Sequence, residues 1–232
     1  VTGSELGDEI NDILATIPAE TRSALMEQMV AICAGETVTE LALTSEAPAN
    51  PVGTLRVAME CAYEPYNWTE TEKKSVGAVA ITGEGKDGLY ANGYDVQIAR
   101  ILADQLGKEL VIVKLSWDGL IDALNQGQID AIIAGMMDTA ERRESINFSE
   151  PYRETTYGLM VLADSPYLNA TSIQDFSGAA VLGQQGTALD DVIEQIEGII
   201  GITVHFIDKC KNRNMTHDAD FEQLSCLCLH TF

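Results

Sequence analysis

The sequence predicts an α/β fold with a largely parallel sheet, and three features carry that expectation. From Gly53 onward short apolar strands alternate with helical segments, the order of parallel-sheet proteins. Tyr94 to Gly107 places Val96, Ile101, Leu102 and Leu106 at helical spacing, so one face is built for a core. Ile129 to Met137 is a near-continuous apolar run, as expected of a parallel strand covered on both faces.

The elements follow in order. Residues 1–36 read as two helices. Ile10, Ile13, Leu14 and Ile17 make one stripe, Leu25, Met26, Met29 and Val30 make a second, and Pro18 separates them. Residues 37–52, rich in Thr, Ser, Glu, Ala and Pro, read as a linker. Leu55 to Met59 is a strand, the Tyr94 helix follows, and Leu110 to Leu115 is the next strand. A helix begins near Ser116, a good cap, with Asp118 favouring its positive end. Leu120, Ile121 and Leu124 share one face of it, and Gly127 stops it. The Ile129 strand then leads to a helix capped by Asp138 or Thr139. Tyr157 to Ala163, Ala179 to Gly183 and Ile202 to Ile207 read as further strands, and Thr187 to Glu197 as a helix.

Composition narrows the function classes. The chain has 232 residues, enough for one large domain or two small lobes. Its formal net charge of -22 argues against nucleic acid and against anionic membrane surfaces, since both would repel it. No run approaches the length of a membrane-spanning helix. The first residues, Val1-Thr2-Gly3-Ser4-Glu5, carry no basic or apolar leader, which reads as a mature form or a signal-less fragment. The five cysteines, Cys33, Cys61, Cys210, Cys226 and Cys228, do not describe a disulfide framework.

In parallel sheets ligands sit beyond the carboxyl ends of the strands. Glu60, Trp117, Met137 and the Gln185-Gly186-Thr187 turn all fall there. Arg142 falls in the first turn of its helix, where a cation opposes the helix dipole. An arginine fork beside free helix N–H groups grips a carboxylate. A solvated surface arginine is the plain alternative. Trp117 as a core aromatic, Tyr63 as a strand-end aromatic and Glu60 as a solvated acid are the corresponding plain readings.

Several motifs, taken together, resemble a known family. Gly53-Thr-Leu-Arg-Val57 with Glu60-Cys-Ala-Tyr-Glu-Pro-Tyr66 is similar to the first strand and aromatic turn of amino-acid-binding proteins of ABC transporters. Gly93-Tyr-Asp-Val96, Ser116-Trp-Asp-Gly-Leu-Ile121, Asp130-Ala-Ile-Ile-Ala-Gly-Met136, Thr139-Ala-Glu-Arg142 and Phe148-Ser-Glu-Pro-Tyr152 follow in that family's order and spacing. The resemblance runs from about Gly53 to Asp208. It implies a two-lobed periplasmic-binding-protein-like type II fold with a ligand cleft between lobes that close about a hinge. Residues 53–154 would form the first lobe and 155–208 part of the second, the chain crossing between them after Tyr152. Residues 209–232 depart from the family pattern, which reads as a truncated or frame-altered tail and an incomplete second lobe. Residues 1–36 resemble the closing helices of a preceding binding domain, with an acidic helical spacer as the alternative.

The resemblance also implies a site. Arg142 looks like the arginine that pairs with the ligand α-carboxylate, and Gly135 and its neighbours would add backbone groups. Trp117 and Tyr63 look like aromatic walls, Glu60 like the acid placed opposite basic ligands, and Gly186 and Thr187 like the second-lobe loop. Met137 stands where relatives carry Thr or Ser, and Ala188 where some carry a hydroxyl. No cofactor is expected. A zinc site built from Cys226, Cys228 and His230 with Cys210 or His217 has unusual spacing, so no metal is expected either. The expectation is an extracytoplasmic domain, not an enzyme, that binds a free amino acid, polar or basic by preference. It would deliver the ligand to ABC permease subunits and meet a membrane only through them or through an anchor outside this chain. A receptor's sensing domain and an enzyme of the same fold, such as a dehydratase, are the rival readings. A lone Glu60 makes a poor acid–base pair for the enzyme.

Overall fold

β1 (Thr54–Met59) organises the first part of the molecule because its residues are apolar on both faces: Leu55, Val57, Ala58 and Met59 are all buried. In the computed structural model, which describes residues 5–73, 75–83, 85–154, 158–184, 203–207 and 224–228, the chain forms two units, Val1–Arg153 and Glu154–Phe232.

In the first unit β1 lies between β6 (Glu109–Lys114) and β7 (Ala131–Ile132), parallel to both. Between β1 and β6 in sequence run β2 (Ala62–Tyr63), β3 (Asn67–Glu70), β4 (Val79–Thr82) and β5 (Tyr90–Asn92). The sheet order is β2-β3-β5-β4-β6-β1-β7, with β4 parallel to β6 and antiparallel pairing from β4 out to β2. The sheet is therefore mixed. The antiparallel extension escapes the sequence reading because its strands have two to four residues, too few to show a period.

α3 (Tyr94–Gln105) packs against this sheet. It is buried nearly all round from Tyr94 to Ala103, rather than along the single stripe expected. α1 (Glu5–Ala15) and α2 (Ala19–Cys33) cover α3 and share its core through Ile13, Leu14, Ile17, Leu25, Met26 and Met29. Val30, assigned to the same stripe, is instead half exposed. Residues 37–52 hold no helix or strand but are not loose. Leu41 is buried, Gln28 brackets Glu40 and Ala42, and Arg100 donates to the Ser45 carbonyl at 3.0 Å.

The Ser116 helix begins as a 3-10 turn, Trp117–Gly119, and continues as α4 (Leu120–Asn125). The Ser116 hydroxyl makes no capping hydrogen bond. The strand expected over Ile129 to Met137 is much shorter, since only Ala131 and Ile132 pair with β1. Beyond them Gly135 takes φ 60°, which ends extended backbone. At the other end of β7, Asp130 accepts from the Arg56 backbone N–H at 2.8 Å and from its guanidinium at 3.0 and 2.6 Å. That pair fixes the β1–β7 register.

In the second unit β8 (Gly158–Leu162) pairs antiparallel with β11 (Leu224–Cys228), and β9 (Ala180–Gln184) pairs parallel with β10 (Thr203–Ile207). Ser172 and Asp175 form a capping box on the 3-10 turn Ile173–Phe176, and Phe176 stacks on Tyr167 at 5.2 Å. The helix expected over Thr187 to Glu197 lies outside the described residues.

Candidate ligand site

The carboxyl ends of β1, β6 and β7 meet at one edge of the first unit, and the turns leaving them carry the candidate residues. Glu60 follows β1, Trp117 follows β6, and Gly135, Met137 and Arg142 follow β7. A short helix, α5 (Ala140–Arg143), presents Arg142, and the Thr139 hydroxyl caps it by accepting from the Arg142 N–H at 3.3 Å. Thr139 is thus the cap, while Asp138 pairs with the Arg143 guanidinium.

Arg142 is held from two sides. Its Nη1 donates to the Met137 carbonyl at 2.9 Å, and its guanidinium carbon lies 5.5 Å from the centre of the Trp117 ring. A guanidinium over an indole face is a favourable cation–π arrangement. Met137 therefore contributes through its carbonyl, which orients Arg142. A Thr or Ser at that position would supply the same carbonyl and a hydroxyl besides.

Tyr63 is the second aromatic, 45% exposed and stacked on Tyr66 with ring centres 5.0 Å apart. Its ring lies directly over Gly135. A Cβ at Gly135 would come within 2.9 Å of Tyr63 Cε1, so glycine is required both for the backbone angle and for this approach. The Gly135 N–H is turned inward and donates to the Tyr152 hydroxyl at 3.1 Å. The backbone donors available to a carboxylate at this turn are therefore those of its neighbours. Glu60 is half buried at the start of the aromatic turn. Trp68, the other tryptophan, is buried in β3 and donates to Glu70 at 3.2 Å, away from the β6 and β7 turns. Gly186 and Thr187 lie outside the described residues, as do Cys210, His217 and His230 of the zinc alternative.

Beneath the site lies a set of residues that sequence reasoning did not assign to it. Asp95, fully buried at the start of α3, accepts from Asn67 Nδ2 at 2.7 Å and from the Tyr152 hydroxyl at 2.9 Å. Burial pushes its carboxyl up to about 6, although the hydrogen bonds from Asn67, Tyr152 and the Gly135 N–H pull in the other direction. The tyrosines connect in a row. Tyr66 meets Tyr94 edge-on at 6.4 Å, and Tyr94 stacks on Tyr152 at 6.1 Å. The signal was present in Gly93-Tyr-Asp-Val96 and in Phe148-Ser-Glu-Pro-Tyr152, where a carboxylate inside an apolar helix demands buried partners.

The chain is similar to known proteins. The family described as bacterial extracellular solute-binding proteins, family 3, matches residues 55–197. A probable histidine-binding protein of Campylobacter jejuni is 29% identical over 149 residues, 64% of this chain and 51% of that protein. The arginine-binding extracellular protein ArtP of Bacillus subtilis is 28% identical, covering 58% of this chain and 49% of its own length. The L-cystine-binding protein TcyJ of Escherichia coli K12 is 33% identical, covering 61% and 47%. The chain thus spans about half the length of the curated relatives it matches. Among solved structures, an ancestral arginine-binding protein bound to arginine superposes with a TM-score of 0.52 at 28% identity, over 69% of this chain and 63% of that one. A lysine-complexed putative binding component of an ABC transporter from Wolinella succinogenes gives 0.53 at 26%, over 68% and 60%. The fold class is that of the type II periplasmic binding proteins. With more than half of its length matched, the chain belongs to the family 3 bacterial extracellular solute-binding proteins.

Proposed function

We propose that this chain binds a free amino acid outside the cytoplasm and delivers it to the permease of an ABC importer by closure over the ligand, without chemical turnover. The observation that carries the reading is Arg142, held over Trp117 and beside the Met137 carbonyl at the end of the parallel strands. A planar guanidinium fixed in this way is prepared for a carboxylate. Tyr63 and Trp117 are the aromatic surfaces offered to the ligand side chain. Glu60 favours a basic or polar ligand, in keeping with the arginine and lysine named for the related proteins. The family description supports the extracytoplasmic location.

The test is titration calorimetry on Arg142→Ala. Losing one partner of a desolvated charge pair costs roughly 2–5 kcal/mol. Amino-acid binding should fall below detection while circular dichroism stays unchanged. Unaltered affinity would remove Arg142 from the site and with it the basis of the reading.

A further inference from the structure

We infer that Asp95, acting on the Gly135 N–H both directly and through Tyr152, is the positioning residue of the Gly135–Met137 turn, and that its protonation loosens the turn's grip on a ligand carboxylate. The inference rests on the amino-acid reading for its second half only.

Tyr152 is fixed at both ends. Its backbone carbonyl accepts from Tyr94 at 3.1 Å and from Arg22 at 3.4 Å. Arg22 also donates to Pro151, Ile17 and Leu14, so the helix pair α1–α2 anchors this segment. At the other end the Tyr152 hydroxyl donates to Asp95 and accepts from the Gly135 N–H. Asp95 is fixed in turn. Its N–H donates to the Tyr66 carbonyl at 2.8 Å, and Asn67, which supplies one of its two side-chain donors, accepts from the Cys61 N–H at 2.8 Å. A rigid chain of hydrogen bonds thus runs from α3 to the turn that also carries the Met137 carbonyl and, through it, Arg142.

The polarity of this chain depends on Asp95 being a carboxylate. The Tyr152 hydroxyl has one hydrogen, and it points at Asp95. A protonated Asp95, or an asparagine, presents a hydrogen of its own to the network. The hydroxyl then loses its acceptor or must turn, and the Gly135 N–H, which bonds both the Tyr152 hydroxyl and Asp95, loses its fixed pair of acceptors. Cys61, Tyr94 and Tyr152 are titratable side chains that interact electrostatically with Asp95. Burial raises all three, Cys61 to about 12, so none changes charge where Asp95 does.

The experiment is amide NMR on the whole chain between about pH 5 and about pH 7.5, following the Gly135 resonance. In the unaltered protein it should titrate with a midpoint near 6, the value to which Asp95 is pushed. In Asp95→Asn it should not titrate, and in Tyr152→Phe the midpoint should move upward because the carboxylate has lost a donor. A Gly135 resonance that is flat in the unaltered protein, or unchanged by both variants, would overturn the inference. Calorimetry with arginine as probe adds the second arm. Affinity should weaken about tenfold on acidification, and about as much in Tyr152→Phe at neutral pH. In Asp95→Asn it should be flat with pH. A pH dependence retained in full by Asp95→Asn would contradict the proposal. Failure of the unaltered chain to bind any of the twenty amino acids would instead overturn the amino-acid reading, while the Gly135 titration still decides the coupling.

Discussion

Gly93 shows how tightly single residues are constrained beneath the site. It caps α3 with φ 130°, and a Cβ there would lie 2.2 Å from the Tyr66 carbonyl oxygen. That neighbour is backbone and cannot rotate away. Gly93→Ala should therefore cost at least the roughly 1–3 kcal/mol of a strained backbone, read as a lower denaturation midpoint, and a stability equal to the unaltered protein's would contradict the geometry. Trp117 is the complementary case, chosen for what it faces. With Trp68 buried in β3, the fluorescence response to ligand should come from Trp117. Trp117→Phe should remove most of that response, and its survival in full would place the aromatic wall elsewhere. Asp95 gives a pH signature of its own. Its folded carboxyl is raised from 3.8 to about 6, so the folded state holds more protons than the unfolded state across that window. Stability from this group is complete below the lower value and is lost as pH rises through the upper one. Asp95→Asn should lack this loss, so the thermal midpoint of the variant should gain on the unaltered protein's from pH 4 to pH 6.5. A constant difference would mean that Asp95 does not titrate there.

At the scale of elements, legibility followed length. β1, α3 and β6 have six to twelve residues and were read within two residues of their ends, because their apolar spacing is long enough to define a period. The turns after β1 and β6 were legible for the same reason: the ends of those two strands were read within one residue, so Glu60 and Trp117 fell just beyond them. The strands from Ala62 to Asn92 were not legible, being short and held mainly by pairing. β7 was overextended because Ile133 and Ala134 are apolar for burial and not for pairing. The buried Asn67–Asp95–Tyr152 network was invisible as a network, since its members are far apart in sequence and only the fold joins them. The β1–β7 pairing yields an element-scale prediction. Hydrogen bonding to Arg56 holds the Asp130 carboxyl below the usual carboxylate range. A depressed carboxyl stabilises the fold above its unfolded value and loses that contribution as pH falls through the folded one. Asp130→Asn should thus lower the urea midpoint at neutral pH, with the gap closing in strong acid. A gap independent of pH would assign the effect to packing.

At the scale of the molecule, the first unit carries a seven-stranded sheet with a continuous core, while the described strands of the second form two-stranded pairs with Met160, Leu162 and Leu182 exposed. Opening free energy follows buried apolar contact. Amides of β1 and β6 should therefore exchange more slowly than those of β8 and β9, and equal protection would mean that the second unit buries these side chains in solution. The proposed function rests on recognition of an amino acid, and the most direct measurement of it is calorimetric titration of the chain with each of the twenty amino acids. The account predicts single-site binding of arginine or lysine, of the order of -8 kcal/mol at micromolar affinity, with leucine clearly weaker. Leucine binding more tightly than both, or no heat from any of the twenty, would contradict it.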